Sequence, residues 1–151
     1  MTDAYHELLD DLSHTTTRIQ EMNEKYGDAV PAGTAEDWGP PQIVAHLIDT
    51  EKLYRGRIQK MLNEETPYLK SYEPEVGPDG IAQKLRPELE AFATERGETI
   101  SLLMNLPLKG WERTGIHEEH GEVSMEDLVE TIINHDNNHL KQMETFLNEQ
   151  G

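Results

Sequence analysis

The chain contains no cysteine, which excludes disulfides, thiolate metal sites and a cysteine nucleophile. Long apolar runs are also missing, since none reaches the ~18 residues of a membrane span. The first residues, with Asp3, Glu7, Asp10 and Asp11, lack the basic-then-apolar pattern of a secretory signal. The expected setting is therefore the cytoplasm. Positive charge is scarce: 13 basic residues stand against 30 acidic ones, a formal charge of −17 spread along the chain. A field of that sign repels phosphate backbones and anionic lipid, so neither nucleic acid nor a membrane is an expected partner. A solvated surface tuned for solubility accounts for the acids, with adaptation to a salty cytoplasm as the sharper alternative. There is no internal repeat, no low-complexity tract and no convincing two-residue alternation. At 151 residues the chain is expected to form one domain, spanning 1–151, with a core that needs no staples.

What is present is helical periodicity. Tyr5, Leu8, Leu9, Leu12, Ile19 and Tyr26 recur at helical spacing, with Thr2 as an available cap and Gly27 as a stop. His6 and His14 fall on the flank and rear of that helix and are expected to be exposed. After a connection from Asp28 to Gly39, Pro40-Pro41 suits a first helical turn, and the second helix should run to about Leu62. Its stripe is Ile43, Leu47, Tyr54, Ile58 and Met61, with His46, Thr50, Leu53 and Arg57 on one edge. From Asn63 to Gly80 prolines and glycines break any period and predict a long surface loop. The third helix carries Leu85, Leu89, Phe92, Ile100 and Leu103 inward, with a kink or late start expected near Pro87. Leu106 to Val123 reads as a second connection; Ser124 and Asp127 then form a capping-box-like start to a fourth helix, Met125 to about Asn148. Together these predict an all-α four-helix bundle with a long crossover between helices two and three.

The fourth helix holds the pattern on which the functional reading turns. A residue advances about 100° round a helix, so Leu128, Ile132, Met143 and Phe146 form one stripe, and His135 and His139 fall near its centre. Two imidazoles four apart share a face and can bind one ion. The alternative is a pair of core histidines bonded to carbonyls. A third inward histidine, His46, on a helix of the kind that packs against this one, favours a three-histidine site. His135-Asp136-x-x-His139 departs from the zincin pattern His-Glu-x-x-His, because Asp136 is one methylene shorter and lies about 80° round from the stripe. Three neutral imidazoles leave a divalent metal its full charge and open positions, a Lewis acid that can lower the pKa of bound water to about 7 or ionise a thiol. Ligand type alone does not choose between zinc, nickel and iron; zinc or nickel is the expected ion, with iron as the alternative.

Four ordered motifs resemble the DinB-like superfamily, which includes relatives of the bacillithiol and mycothiol transferases. They are Asp37-Trp38-Gly39-Pro40-Pro41-Gln42-Ile43-Val44-Ala45-His46-Leu47-Ile48-Asp49, Ala91-Phe92-Ala93-Thr94-Glu95-Arg96, Trp111-Glu112-Arg113-Thr114-Gly115-Ile116-His117 and His135-Asp136-Asn137-Asn138-His139-Leu140. The resemblance implies a four-helix bundle whose divalent metal is held by His46, His135 and His139. It also implies a metal-dependent transferase using a low-molecular-weight thiol, or a metal-dependent hydrolase, and a homodimer. Gly39 departs from the family, which often has Ser there as a helix cap.

The expected function is thiol-dependent S-transfer to a small electrophile at the three-histidine metal. Hydrolysis by metal-bound water, or a bundle that binds metal without turnover, are the alternatives. Candidates for further roles are Asp49, Asn138 and Gln142 beside the histidines, Arg57 or Arg96 as counter-ion to an anionic substrate group, and a nearby carboxylate or His117 as proton acceptor for hydrolysis. Against each stands an ordinary surface role: a helix flank for Asp49, Asn138 and Gln142, pairing with surface carboxylates for the arginines, and an exposed loop for His117 and His120.

Overall fold

The structure, a computed structural model, describes residues 3–34, 36–71 and 84–150. Four long helices dominate: α1 (Asp3–Tyr26), α2 (Pro40–Asn63), α3 (Leu85–Met104) and α5 (Met125–Gln150). A short α4 (Leu108–Trp111) and strands β1 (Tyr68–Leu69), β2 (Thr114–His117) and β3 (Gly121–Ser124) complete it. Among the described residues no helix is long and apolar enough to cross a membrane. Thr2, the expected cap of α1, and Pro74, Gly77, Pro78 and Gly80 of the expected loop lie outside the described residues.

Local chemistry explains the helix ends. Gly27 takes φ +57°, a left-handed conformation that stops α1 without the steric cost of a Cβ. Ser124 Oγ accepts the Asp127 N–H at 3.0 Å and Asp127 Oδ2 accepts the Ser124 N–H at 2.8 Å, a reciprocal cap for α5. The late start expected near Pro87 is not found: α3 begins at Leu85, so Pro87 sits in a first turn whose N–H groups have no intrahelical acceptor to lose. Gly39 is not a weakened cap either. Its N–H is taken by Gln42 Oε1 at 2.8 Å and by the Ala32 carbonyl at 3.0 Å, and a Cβ there would meet the Pro31 oxygen at 2.4 Å. Close backbone approach demands glycine at that position.

The stretch from Leu106 to Val123 is not a plain connection. β2 and β3 form an antiparallel hairpin, with Thr114 opposite Ser124 and His117 opposite Gly121. β1, inside the expected loop, adds in parallel to β2, pairing Tyr68 with Ile116 and Leu69 with His117. The strands escape a pattern search because they are so short, and because β2 turns Gly115 and His117 inward while Ile116 faces out. Arg113 fastens this sheet to the bundle by donating from Nε to the Met61 carbonyl at 2.6 Å.

The core has two apolar halves. Leu8, Leu9 and Leu12 of α1 meet Ile58 and Met61, Leu103, and Leu128, Val129 and Ile132 in one half. Ile19 and Met22 meet Ile43 and Leu47, Leu89 and Phe92, and Leu140 and Met143 in the other. The order of these residues along each helix shows that α2 and α3 run in the same direction, opposite to α1 and α5. Consecutive parallel helices require a connection that returns the length of the bundle, which is the expected long crossover.

Between the halves lies a buried polar layer with one residue from each long helix: Thr15, Glu51, Arg96 and Asp136, each no more than 4% exposed. Arg96 Nε and Nη2 donate to the two Glu51 oxygens at 2.8 and 2.9 Å, Nη1 and Nη2 donate to the Asp136 carboxylate at 2.8 and 3.0 Å, and Nη1 also donates to the Leu12 carbonyl at 2.7 Å. All five guanidinium N–H groups are thereby used. Thr15 Oγ1 donates to Asp136 Oδ2 at 2.7 Å.

Removing the cation leaves two buried carboxylates unpaired, so Arg96→Met should lose about 3–5 kcal/mol in urea denaturation, and Arg96→Lys should recover little because an ammonium has fewer donors than the layer uses. A loss below about 1 kcal/mol would contradict this account. Gly39→Ser, despite supplying a cap hydroxyl, should destabilise by about 1–3 kcal/mol through its clash with Pro31; a raised urea midpoint would show that the cap outweighs it.

Candidate metal centre

His46 of α2 and His135 and His139 of α5 bring ring nitrogens within 4.8 Å of one another. The three rings are half-buried, with centroid separations of 5.6 Å for His46 and His135, 5.1 Å for His46 and His139, and 4.4 Å for His135 and His139. His139 Nδ1 lies 2.8 Å from Gln142 Oε1, so the amide oxygen accepts the Nδ1–H and the lone pair is left on Nε2. That Nε2 is 3.2 Å from His135 Nε2. Two nitrogens each about 2.1 Å from one ion at a tetrahedral angle would lie about 3.4 Å apart, so the spacing fits two ligands of a single ion. Thr50 Oγ1 stands 3.4 Å from His46 Nε2 and donates to the His46 carbonyl at 2.8 Å.

The electrostatics suit neutral ligands. Burial, then the neighbouring His139 and His46, then Arg96, push His135 down to about 4, so its lone pair is free of a proton near neutral pH. Tyr54 faces His135 edge-on at 5.7 Å, and Trp38, held by the turn that closes on Gly33, lies 5.7 Å from the His46 ring. These two aromatic neighbours were not among the sequence candidates.

The remaining candidates divide. Arg57 and His117 line a cavity of about 190 Å³ together with His46, Thr50, Tyr54 and His135. His117 is buried at 8% exposure rather than a free loop residue, and its alternating place in β2 was the available signal. Its Nδ1 accepts the backbone N–H groups of Glu119 and His120 at 3.0 and 3.3 Å. In this arrangement the neutral ring carries its proton on Nε2 and is a hydrogen-bond donor on that side. Burial first, then His120 and Arg57, lower its pKa. Arg96 cannot receive a substrate group, because every one of its donors is engaged in the polar layer. Asp49 is exposed and acts on Glu88 of α3, whose pKa it helps raise after burial. Asn138 is exposed and lines a separate cavity of about 420 Å³ with Asp37, Trp38 and Gln142. Asp136 has both oxygens committed to Arg96 and Thr15, which leaves no lone-pair role in zincin fashion. His6 and His14 are exposed, as expected.

A family model described as the DinB superfamily matches residues 1–143. The chain belongs to the DinB superfamily. A protein of Bacillus cereus strain G9842 named "Putative metal-dependent hydrolase" is 25% identical over 128 residues, covering 83% of this chain and 73% of its own. A protein of the same description from Bacillus cereus strain 03BB102 is 25% identical over 142 residues, covering 92% and 81%. The solved structure of YfiT from Bacillus subtilis, described as "a probable metal-dependent hydrolase with an unusual four-helix bundle topology", superposes with a TM-score of 0.82 at 18% identity, covering all of this chain and 90% of that one. At that identity the likeness establishes the fold.

The lowered His135 pKa sets a sign for the acid limb of stability. Between about 6.5 and about 4 the unfolded histidine holds a proton that the folded one lacks. Its contribution is present above that window and is lost as pH falls through it. With chelator present, the urea midpoint of wild type should therefore fall more steeply from pH 6.5 to 4 than that of His135→Gln; parallel curves would show that burial of this ring carries no such cost.

Proposed function

We propose that this DinB-superfamily chain is a metal-dependent enzyme acting on a small molecule, with His46, His135 and His139 as the ligands of a divalent cation. The observation that carries the reading is that three half-buried imidazoles converge within 4.8 Å and two of them border a cavity. Among the described residues no fourth protein ligand joins the cluster, which matches a catalytic rather than a closed structural site. The naming of the bacillus relatives as metal-dependent hydrolases supports metal dependence.

A divalent ion held there would supply a Lewis acid able to lower the pKa of a thiol or of water. The protein's own groups then bear on which nucleophile is used. A thiol, with an ordinary pKa of about 8.5, needs little further help to ionise, whereas water needs a proton acceptor within reach. His117, one of the two expected acceptors, the other being a carboxylate, has its Nδ1 occupied by two backbone N–H groups and offers an N–H instead. That favours thiol-dependent transfer to a small electrophile, with the Nε2–H of His117 and the Arg57 guanidinium available to negative charge that develops on substrate.

Hydrolysis is the second reading, supported by the description of the relatives and by Glu119, a carboxylate among the cavity residues. Purified protein should hold about one divalent ion per chain, by elemental analysis, and His135→Ala should lose it with a fall of at least tenfold in any turnover. Metal-loaded protein should conjugate small thiols to electrophiles, and Glu119→Gln should leave that rate within about threefold. Hydrolysis of ester or amide panels without thiol, abolished by Glu119→Gln, would select the second reading; no stoichiometric metal in wild type would remove both.

A further inference from the structure

The histidine cavity does not end at the cluster. It shares Leu53 and Arg57 with a second cavity of about 380 Å³ between α2 and β1. In a chain of charge −17, this second cavity is lined, among the described residues, by Lys52, Arg57, Lys60 and Lys70 and by no acidic residue. Among the described residues none of these four cations forms an ion pair. Lys60 Nζ donates to the Tyr68 carbonyl at 3.0 Å and Arg57 Nη2 to the Lys70 carbonyl at 2.6 Å. Those bonds fix the two side chains along β1 and leave their charge without a carboxylate. Like charges held together repel, by an amount that an arriving anion would reverse. Leu53 and Leu69 supply an apolar wall between them.

Resting on the metal-enzyme reading above, we propose that the substrate or cosubstrate is an elongated organic anion, its reactive end at the histidines and its charged tail among Lys52, Arg57, Lys60 and Lys70. Arg57 borders both cavities and so stands at the junction. On the histidine side the described lining holds one acid, Glu119, against Arg57, and His117 adds an N–H donor, so that cavity is far less basic than the groove. The two cavities thus sort the molecule by charge: a neutral or metal-seeking head in one, an anion in the other.

The test compares 6-mercaptohexanoate, its neutral amide and hexanoate by calorimetry on protein as purified, at low and at moderate salt. Wild type should bind the acid at least tenfold more tightly than the amide at low salt, with the preference shrinking as salt screens it. Lys52→Gln, whose side chain makes no hydrogen bond or ion pair among the described residues, should reduce the preference, and Lys52→Gln with Lys70→Gln should bring it within about threefold while amide binding stays unchanged. His135→Ala separates the two readings: it should abolish amide binding and leave hexanoate binding intact. Hexanoate bound by both wild type and His135→Ala, with no amide bound by either, would retain the basic groove and sink the metal site. Equal affinity for acid and amide in wild type, or a preference that survives loss of both lysines, would overturn the groove proposal whatever the histidines do.

Discussion

Arg96 is the point on which the bundle depends. Its five donors reach α1, α2 and α5 from α3, so one side chain ties together all four long helices at mid-height. Burying an ion is costly, and a charged layer is kept only when its geometry is complete. Here it is complete on the cation side, and Arg96 is held strongly protonated by Asp136 and Glu51 against the pull of burial. The layer still carries two carboxylates against one guanidinium, and burial pushes Asp136 up despite Arg96 and Thr15. A layer that must be satisfied in one register gives the bundle a unique alignment that apolar packing alone would leave looser.

That alignment reaches the histidines through the backbone. Asp136 faces the layer, so His135, one residue and about 100° away, is turned toward the side where α2 presents His46. His139 follows one turn later on the same face. The site is therefore built on rigid helices and aimed by a neighbouring ion pair, with Gln142 setting the tautomer of one ring and Thr50 standing beside another. The small sheet closes the arrangement by placing His117 and its backbone-locked ring at the cavity wall.

Charge is distributed with the same economy. The acids lie along the whole chain and the net charge is −17, yet among the described residues the cavity between α2 and β1 is lined by lysines and an arginine with no acid among them. In a field of predominantly negative sign such a cavity focuses anions where a uniform surface would repel them.

Much of the fold was readable in advance because its causes are local. Helix ends follow from Gly27, Pro40 and the Ser124–Asp127 pair, and the stripes of Leu128, Ile132, Met143 and Phe146 follow from a 3.6-residue repeat. The spacing of His135 and His139 puts both on one face for the same reason. What local pattern could not determine was which polar residues lie inside. Arg96 and Asp136 look like ordinary surface charges until each meets the other across 40 residues of chain, and His117 looks like a loop histidine until β1 pairs with β2. The sequence by itself determined the helices and the face each would bury, since these depend on neighbours a turn away. Only the tertiary structure decided the ionic layer, the buried His117 and the two cavities that share Leu53 and Arg57, since these depend on partners on other elements.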